Sequence, residues 1–176
     1  MRLDYLILIG LAPPLLYLGA RTFSPAILPP VPIPSPASST PFDPIDFFEG
    51  NTQGSGTLYE LDGDSRDLNV ASVGRRLPDG GLEITQTIAL EGSPERTRTW
   101  TIQPEQGARY SGTLTDAKSG VVAMTGGRRM VIAYESDGHN VRQTLTQIDP
   151  NTVRNRLDVY KWGINVARLD ETITRS

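Results

Sequence analysis

From residue 54 onward the chain never runs more than about a dozen residues without a cluster of turn formers, and no useful length of it keeps a helical period. The breaks are Asp62-Gly63-Asp64, Pro78-Asp79-Gly80-Gly81, Glu91-Gly92-Ser93-Pro94, Pro104-Glu105-Gln106-Gly107, Lys118-Ser119-Gly120, Gly126-Gly127, Ser136-Asp137-Gly138 and Asp149-Pro150-Asn151. Each supplies the positive-φ or fixed-φ residues that tight turns need. Between them lie segments 55–61, 68–77, 82–90, 95–103, 108–114, 121–125, 128–135, 141–149, 152–162 and 164–174. Strands joined this closely must be antiparallel neighbours, so the chain is expected to form a meander.

Alternation assigns the faces. In 82–90, Leu82, Ile84, Ile88 and Leu90 point one way with Gln86 among them, while Glu83, Thr85 and Thr87 point the other. Met130, Ile132 and Tyr134 share a side in the same manner. In the last segment the phase slips, because Ile164 and Val166 are even but Leu169 and Ile173 odd; a bulge near Ala167 reconciles them. A meander of about eight to ten strands with one apolar face can stack as two sheets or close, and closure alone removes every edge. The expected fold is therefore all-β, an antiparallel meander closing into a β-barrel over 42–176. Its last strand, 164–174, should pair with 55–61 or 68–77. Ahead of the strands, Asp43 or Asp46 can cap a helical turn carrying Ile45, Phe47 and Phe48 and ended by Gly50, which would plug one end of the barrel.

The first residues read differently. Residues 5–20 carry no charge and are dominated by Leu and Ile, behind Arg2 and Asp4. As a helix rising about 1.5 Å per residue they fall slightly short of a bilayer core, and Pro13-Pro14 would kink them. Residues 1–23 are thus expected to be an apolar helix, either a cleaved signal peptide or a retained inner-membrane anchor. Cleavage after Ala20 would put Leu18 where a small residue is wanted, and Ser35-Pro36-Ala37 lies far downstream. Residues 24–41 are a Pro-rich linker, extended and semi-rigid, with a proline-recognition ligand as the sharper alternative. Such a spacer would hold the domain clear of a membrane surface.

Composition excludes several chemistries. The net charge of -3, with both signs interspersed, gives no basic stripe, so nucleic acid is not an expected partner. With no cysteine there is no disulfide, thiolate nucleophile or lipid-carrying cysteine. The single His139 sits in a turn and cannot build a multi-histidine site. Asp62, Asp64 and Asp67 fail as a calcium loop, since Arg66 takes a ligand position and the glycine is missing. No serine has a histidine partner, and no phosphate loop joins a strand to a helix. No catalytic residue, metal or cofactor is expected.

The residues left for recognition are Arg98 and Trp100, which must share a face because they are two apart on one strand. An Arg over an indole can lock a barrel end or receive a carboxylate. Glu83, Asp170 and Glu171 are its candidate partners. Tyr110, Arg156, Tyr160, Lys161 and Trp162 are further candidates for ligand binding or barrel closure.

Phe47-Phe48-x-Gly50 with Gly54-x-Gly56, Arg98-x-Trp100, Tyr110-x-Gly112 with Asp116 and Gly120, and Asn155-Arg156 with Lys161-Trp162-Gly163 occur in that order. Together they resemble the bacterial domain-of-unknown-function family 3833 (DUF3833), envelope proteins that include lipoproteins and are similar to lipocalin-like barrels. The resemblance implies a fold and an envelope location, and no activity. Two departures stand out: the lipobox cysteine common in the family is absent, and Trp162 occupies a position more usual for Phe.

Three functions fit this reading. The first is non-enzymatic binding of a lipid or other small apolar molecule in the barrel. The second is a structural or interaction module with a solid core. The third is an enzyme or haem-type barrel using His139.

Overall fold

The structure, a computed structural model, describes residues 41–176. The apolar helix expected at 1–23 and the linker at 24–41, save its last residue, lie outside the described residues. No helix among the described residues is long and apolar enough to cross a membrane.

A short helix, α1 (Pro44–Phe48), opens the domain. Asp43 caps it, its Oδ1 accepting the Ile45 and Asp46 amides at 2.9 and 3.2 Å. Pro44 fills the first turn, where no donor is needed. Gly50, at φ +91°, ends it and starts the first strand.

Ten strands follow: β1 (Gly50–Glu60), β2 (Ser65–Arg76), β3 (Leu82–Leu90), β4 (Arg96–Pro104), β5 (Arg109–Leu114), β6 (Val121–Gly126), β7 (Arg129–Ser136), β8 (His139–Asp149), β9 (Thr152–Lys161) and β10 (Ile164–Arg175). Each pairs antiparallel with the next, and β10 returns to β1 from Thr52↔Arg175 to Glu60↔Ala167, closing the barrel. The expected closure holds, and of the two strands offered as partner for the last, the first is the one used. The expected bulge is a register shift between Asn165 and Ala167.

Two of the boundaries that differ from expectation have a plain cause. β1 starts at Gly50 rather than 55, because residues 50–54 contain no large apolar side chain to show the alternation; the inward positions there are the buried Thr52 and Gly54. The β9 strand stops at Lys161, since Trp162 and Gly163 both adopt positive φ, 51° and 79°, and make the two-residue hairpin turn.

The core divides along the barrel axis. Phe42, Ile45, Phe47 and Phe48 seal one end and join a large cluster with Leu82, Trp100, Met130 and Val153. Phe47 packs edge-on against both neighbours, with ring centroids 5.8 Å from Phe42 and 4.9 Å from Phe48. Gly74 is what lets α1 lie on the barrel wall: a Cβ there would strike the Phe48 carbonyl. Toward the other end Leu68, Val70, Ile88 and Leu169 form a second, smaller cluster.

Candidate functional site

Between these two clusters the interior is not filled. A cavity of about 180 Å³ lies among Phe48 on the plug side, Val70, Ile88 and Leu169 on the far side, and Ile132 and Leu145 on the opposite wall. Empty apolar cavities of roughly 150 Å³ are large enough to take up benzene, so this one can hold a ring or a short chain. Its lining is mainly Leu, Ile and Val, interrupted by two polar groups of residues.

The first group is built on β2, β3 and β4. Gln86 stands on the apolar face of β3 and pairs with Arg98 on β4. Its Oε1 accepts from Arg98 Nε at 2.8 Å and from Trp100 Nε1 at 2.7 Å, while its Nε2 donates to Ser72 Oγ at 3.2 Å. The Arg98 guanidinium carbon lies 5.4 Å from the Trp100 ring centroid. Trp100 meets Tyr134 edge-on at 5.5 Å. Burial pushes the Tyr134 phenol above its ordinary value, and Arg98 acts against this through its charge and a hydrogen bond.

The second group is built on β8, β9 and β10. Glu171 points inward, and its Oε2 accepts from Asn155 Nδ2 at 2.7 Å. Gly54 leaves the space its carboxyl occupies, because a Cβ at Gly54 would collide with Glu171 Oε1, and one at Gly56 with the β10 backbone at Asp170 and Glu171. Burial raises the Glu171 carboxyl above its ordinary 4.5, opposed by the Asn155 hydrogen bond and the Arg98 charge. Gln143 and Asn155 are buried cavity residues whose oxygens, Oε1 and Oδ1, have no hydrogen-bond partner among the described residues.

Of the residues singled out from the sequence, the structure brings Arg98 and Trp100 together at the cavity. Of the three carboxylates proposed for Arg98, only Glu171 shares the cavity with it. Glu83 alternates to the outer face of β3, between the buried Leu82 and Ile84. Asp170 pairs with Arg156 at 2.9 Å.

The other candidates for ligand binding or barrel closure do not line the cavity. Arg156 is opposite Asp170 in the register, on the outer face next to inward Asn155 and Leu157, where it braces β9 against β10. Tyr160 also faces outward, beside a groove containing Val122 and Val131. Lys161 and Trp162 stack on each other at the hairpin tip, 5.0 Å from ammonium to ring, and Trp162 is 89% exposed. Tyr110 is half-buried against the larger core cluster and does not line the cavity; burial and the Asp43 charge raise its phenol. His139 begins β8 opposite Ser136 and does not line the cavity either.

Gln86, placed on the inward face of its strand, Asn155, placed in the family-like motif, and Gln143 were not among the residues assigned to recognition. The signal was present, since each is a polar residue at an inward position of an otherwise apolar alternation.

Residues 35–175 match the family model described as "Protein of unknown function (DUF3833)". Comparison with curated protein sequences gave no match. Among solved structures, the S-type phycobiliprotein lyase CPES from Guillardia theta superposes with a TM-score of 0.63 at 6% identity, over 75% of this chain and 90% of that one. A redesigned β-barrel, mFAP0, bound to DFHBI gives 0.43 at 15% identity, over 73% of this chain and 99% of that one. At such identities the first likeness shows the fold alone, and the second is too distant to carry an argument.

Proposed function

We propose, for a chain that belongs to the family DUF3833, non-enzymatic binding of a small apolar ligand, a lipid segment or a compact apolar molecule, inside the barrel. The observation that carries this reading is the cavity of about 180 Å³ left between two well-packed clusters. A barrel that only needed to be solid would fill such a space, since packed interiors leave few voids larger than a water molecule. The Arg98–Gln86–Trp100 network sets one polar edge on an apolar chamber, the usual composition of a small-molecule site. Residues 5–20, charge-free and leucine-rich, support a place in the bacterial envelope, tethered to or exported across the inner membrane. Solvent extraction of the purified full-length protein followed by mass spectrometry tests the reading. A stoichiometric lipid or small apolar molecule, lost in a cavity-filling Val70→Phe protein, is expected; wild-type and Val70→Phe extracts that both lack one would contradict it.

A second reading, an interaction module, draws on the outer face of β6, where Val122 and Met124 are 51% and 57% exposed. Sedimentation tests it: an assembly that the Met124→Glu protein no longer forms is its expected result, and a monomer in both proteins would remove it.

A further inference from the structure

The charged side chains that line the cavity are Arg96, Arg98 and Glu171. With all of them ionised the chamber carries one positive charge in excess, and a neutral Glu171 would only raise that excess. Neither arginine forms an ion pair with another described residue. Glu171 stands on β10, with β1, β2 and β3 between it and β4, and Asn155 Nδ2 holds its Oε2 at 2.7 Å. The Arg98 charge reaches it across the cavity and not by contact. An uncompensated cation in an apolar space is costly. Strand pairing does not demand this one, because the Trp100 indole already ties β4 to β3 through Gln86 Oε1 at 2.7 Å.

The donors are available. Of the five N–H groups of a guanidinium, Arg98 gives its Nε–H to Gln86 and a further hydrogen bond to Tyr134. None of its nitrogens is among the buried polar atoms left without a partner, so the remaining donors open into the space that Arg98 lines. Arg96 lies one inward position nearer the end away from the plug and is exposed. Leu58 and Leu90, at that same end, are only partly buried, whereas Phe48, Ile84 and Trp100 seal the cavity on the plug side. The two arginines thus make a cationic step just inside the mouth of an apolar chamber.

We infer that the cavity takes a small molecule with a compact apolar body and a carboxylate, the body entering first toward Phe48 and the carboxylate stopping at Arg98, with Arg96 beside it at the mouth. This rests on the ligand-binding reading above and deepens it. A carboxylate accepts two parallel N–H bonds from a guanidinium, and a position near the mouth leaves it in contact with water that the plugged end excludes.

Benzoate and nitrobenzene, alike in shape and differing by the charge, are the probes, with benzylammonium as the ring of opposite sign. Calorimetric titration of the full-length protein at neutral pH should rank benzoate above benzylammonium. The benzoate-to-nitrobenzene affinity ratio should fall about tenfold in Arg98→Met, the loss of a charge-assisted contact. In Arg96→Gln, a change at an exposed residue outside the core, it should fall about threefold, which keeps the test decisive should Arg98→Met fail to fold. Benzylammonium binding tighter than benzoate, nitrobenzene binding without benzoate, or a ratio unchanged in every variant that folds overturns the carboxylate assignment and leaves the ligand reading standing. Binding of neither benzoate nor nitrobenzene to the wild type removes the ligand reading itself.

Discussion

The Arg98 guanidinium stands over the Trp100 ring, 5.4 Å from its centroid, and the two side chains deliver their N–H groups to the same oxygen, Gln86 Oε1. A cation and an indole two residues apart on β4 are thereby fixed to β3 by a single acceptor. The arrangement presents a charge to the cavity while pairing the Arg98 Nε–H and the Trp100 indole N–H.

Removing that acceptor should be costly. Gln86→Leu leaves the Arg98 Nε and the Trp100 indole N–H without their partner, and stranding buried donors costs about 1–3 kcal/mol each. Denaturant unfolding is expected to show a loss of about 2–4 kcal/mol. A change below about 0.5 kcal/mol would mean that solvent reaches both donors.

Stability should depend on pH through Glu171. Its carboxyl is raised above the ordinary 4.5 in the folded protein, mainly by burial. The fold therefore holds the proton more tightly than the unfolded chain does. The contribution is fully present below about pH 4.5 and is lost as pH rises through the folded-state value. Glu171→Gln, which cannot ionise, should lack this decline, so the wild type loses stability relative to the variant on going from pH 4 to pH 8. Melting temperatures across that range check it, and parallel curves would show that Glu171 ionises freely.

Gly54 and Glu171 should be energetically coupled. A methyl at Gly54 falls on the Glu171 carboxyl, which must then move and release Asn155. Gly54→Ala is expected to cost about 1–3 kcal/mol in the wild type and clearly less in a Glu171→Ala background. Equal costs in a double-mutant cycle would separate the two positions.

Residues on the outer wall should be silent in binding. The Arg156–Asp170 pair is partly exposed, with Asp170 40% open to solvent, and such pairs contribute about 0–1 kcal/mol. Arg156→Ala and Trp162→Phe are expected to leave the extracted ligand unchanged, as mass spectrometry of each purified variant would show. Loss of ligand in either would move the site to the outside of the barrel.

The fold was legible because its information is local and repetitive. Turn residues at nearly every break, the inward run of Met130, Ile132 and Tyr134, and the phase slip before Leu169 specified the strands, their faces and the bulge. The short helix was readable from Asp43-Pro44 and the phenylalanines behind it. The candidate site was harder to read, because it depends on which inward positions of distant strands fall at the same height. Arg98 and Trp100 were found since they sit on one strand, whereas Gln86 joins them only across the β3–β4 register. Arg156 and Trp162 have the same chemistry as Arg98 and Trp100, and only the parity of β9 and the turn at Gly163 put them outside.

A small molecule bound in this barrel would occupy the space beside Trp100. Of the two tryptophans, Trp162 is exposed, so a Trp162→Phe protein reports from Trp100 alone. Titration of that protein with nitrobenzene, a benzene-sized quencher, should quench Trp100 emission saturably, and Val70→Phe should abolish the saturable part. Quenching that rises linearly without saturating, or a saturable phase that survives Val70→Phe, would contradict a ligand site in this barrel.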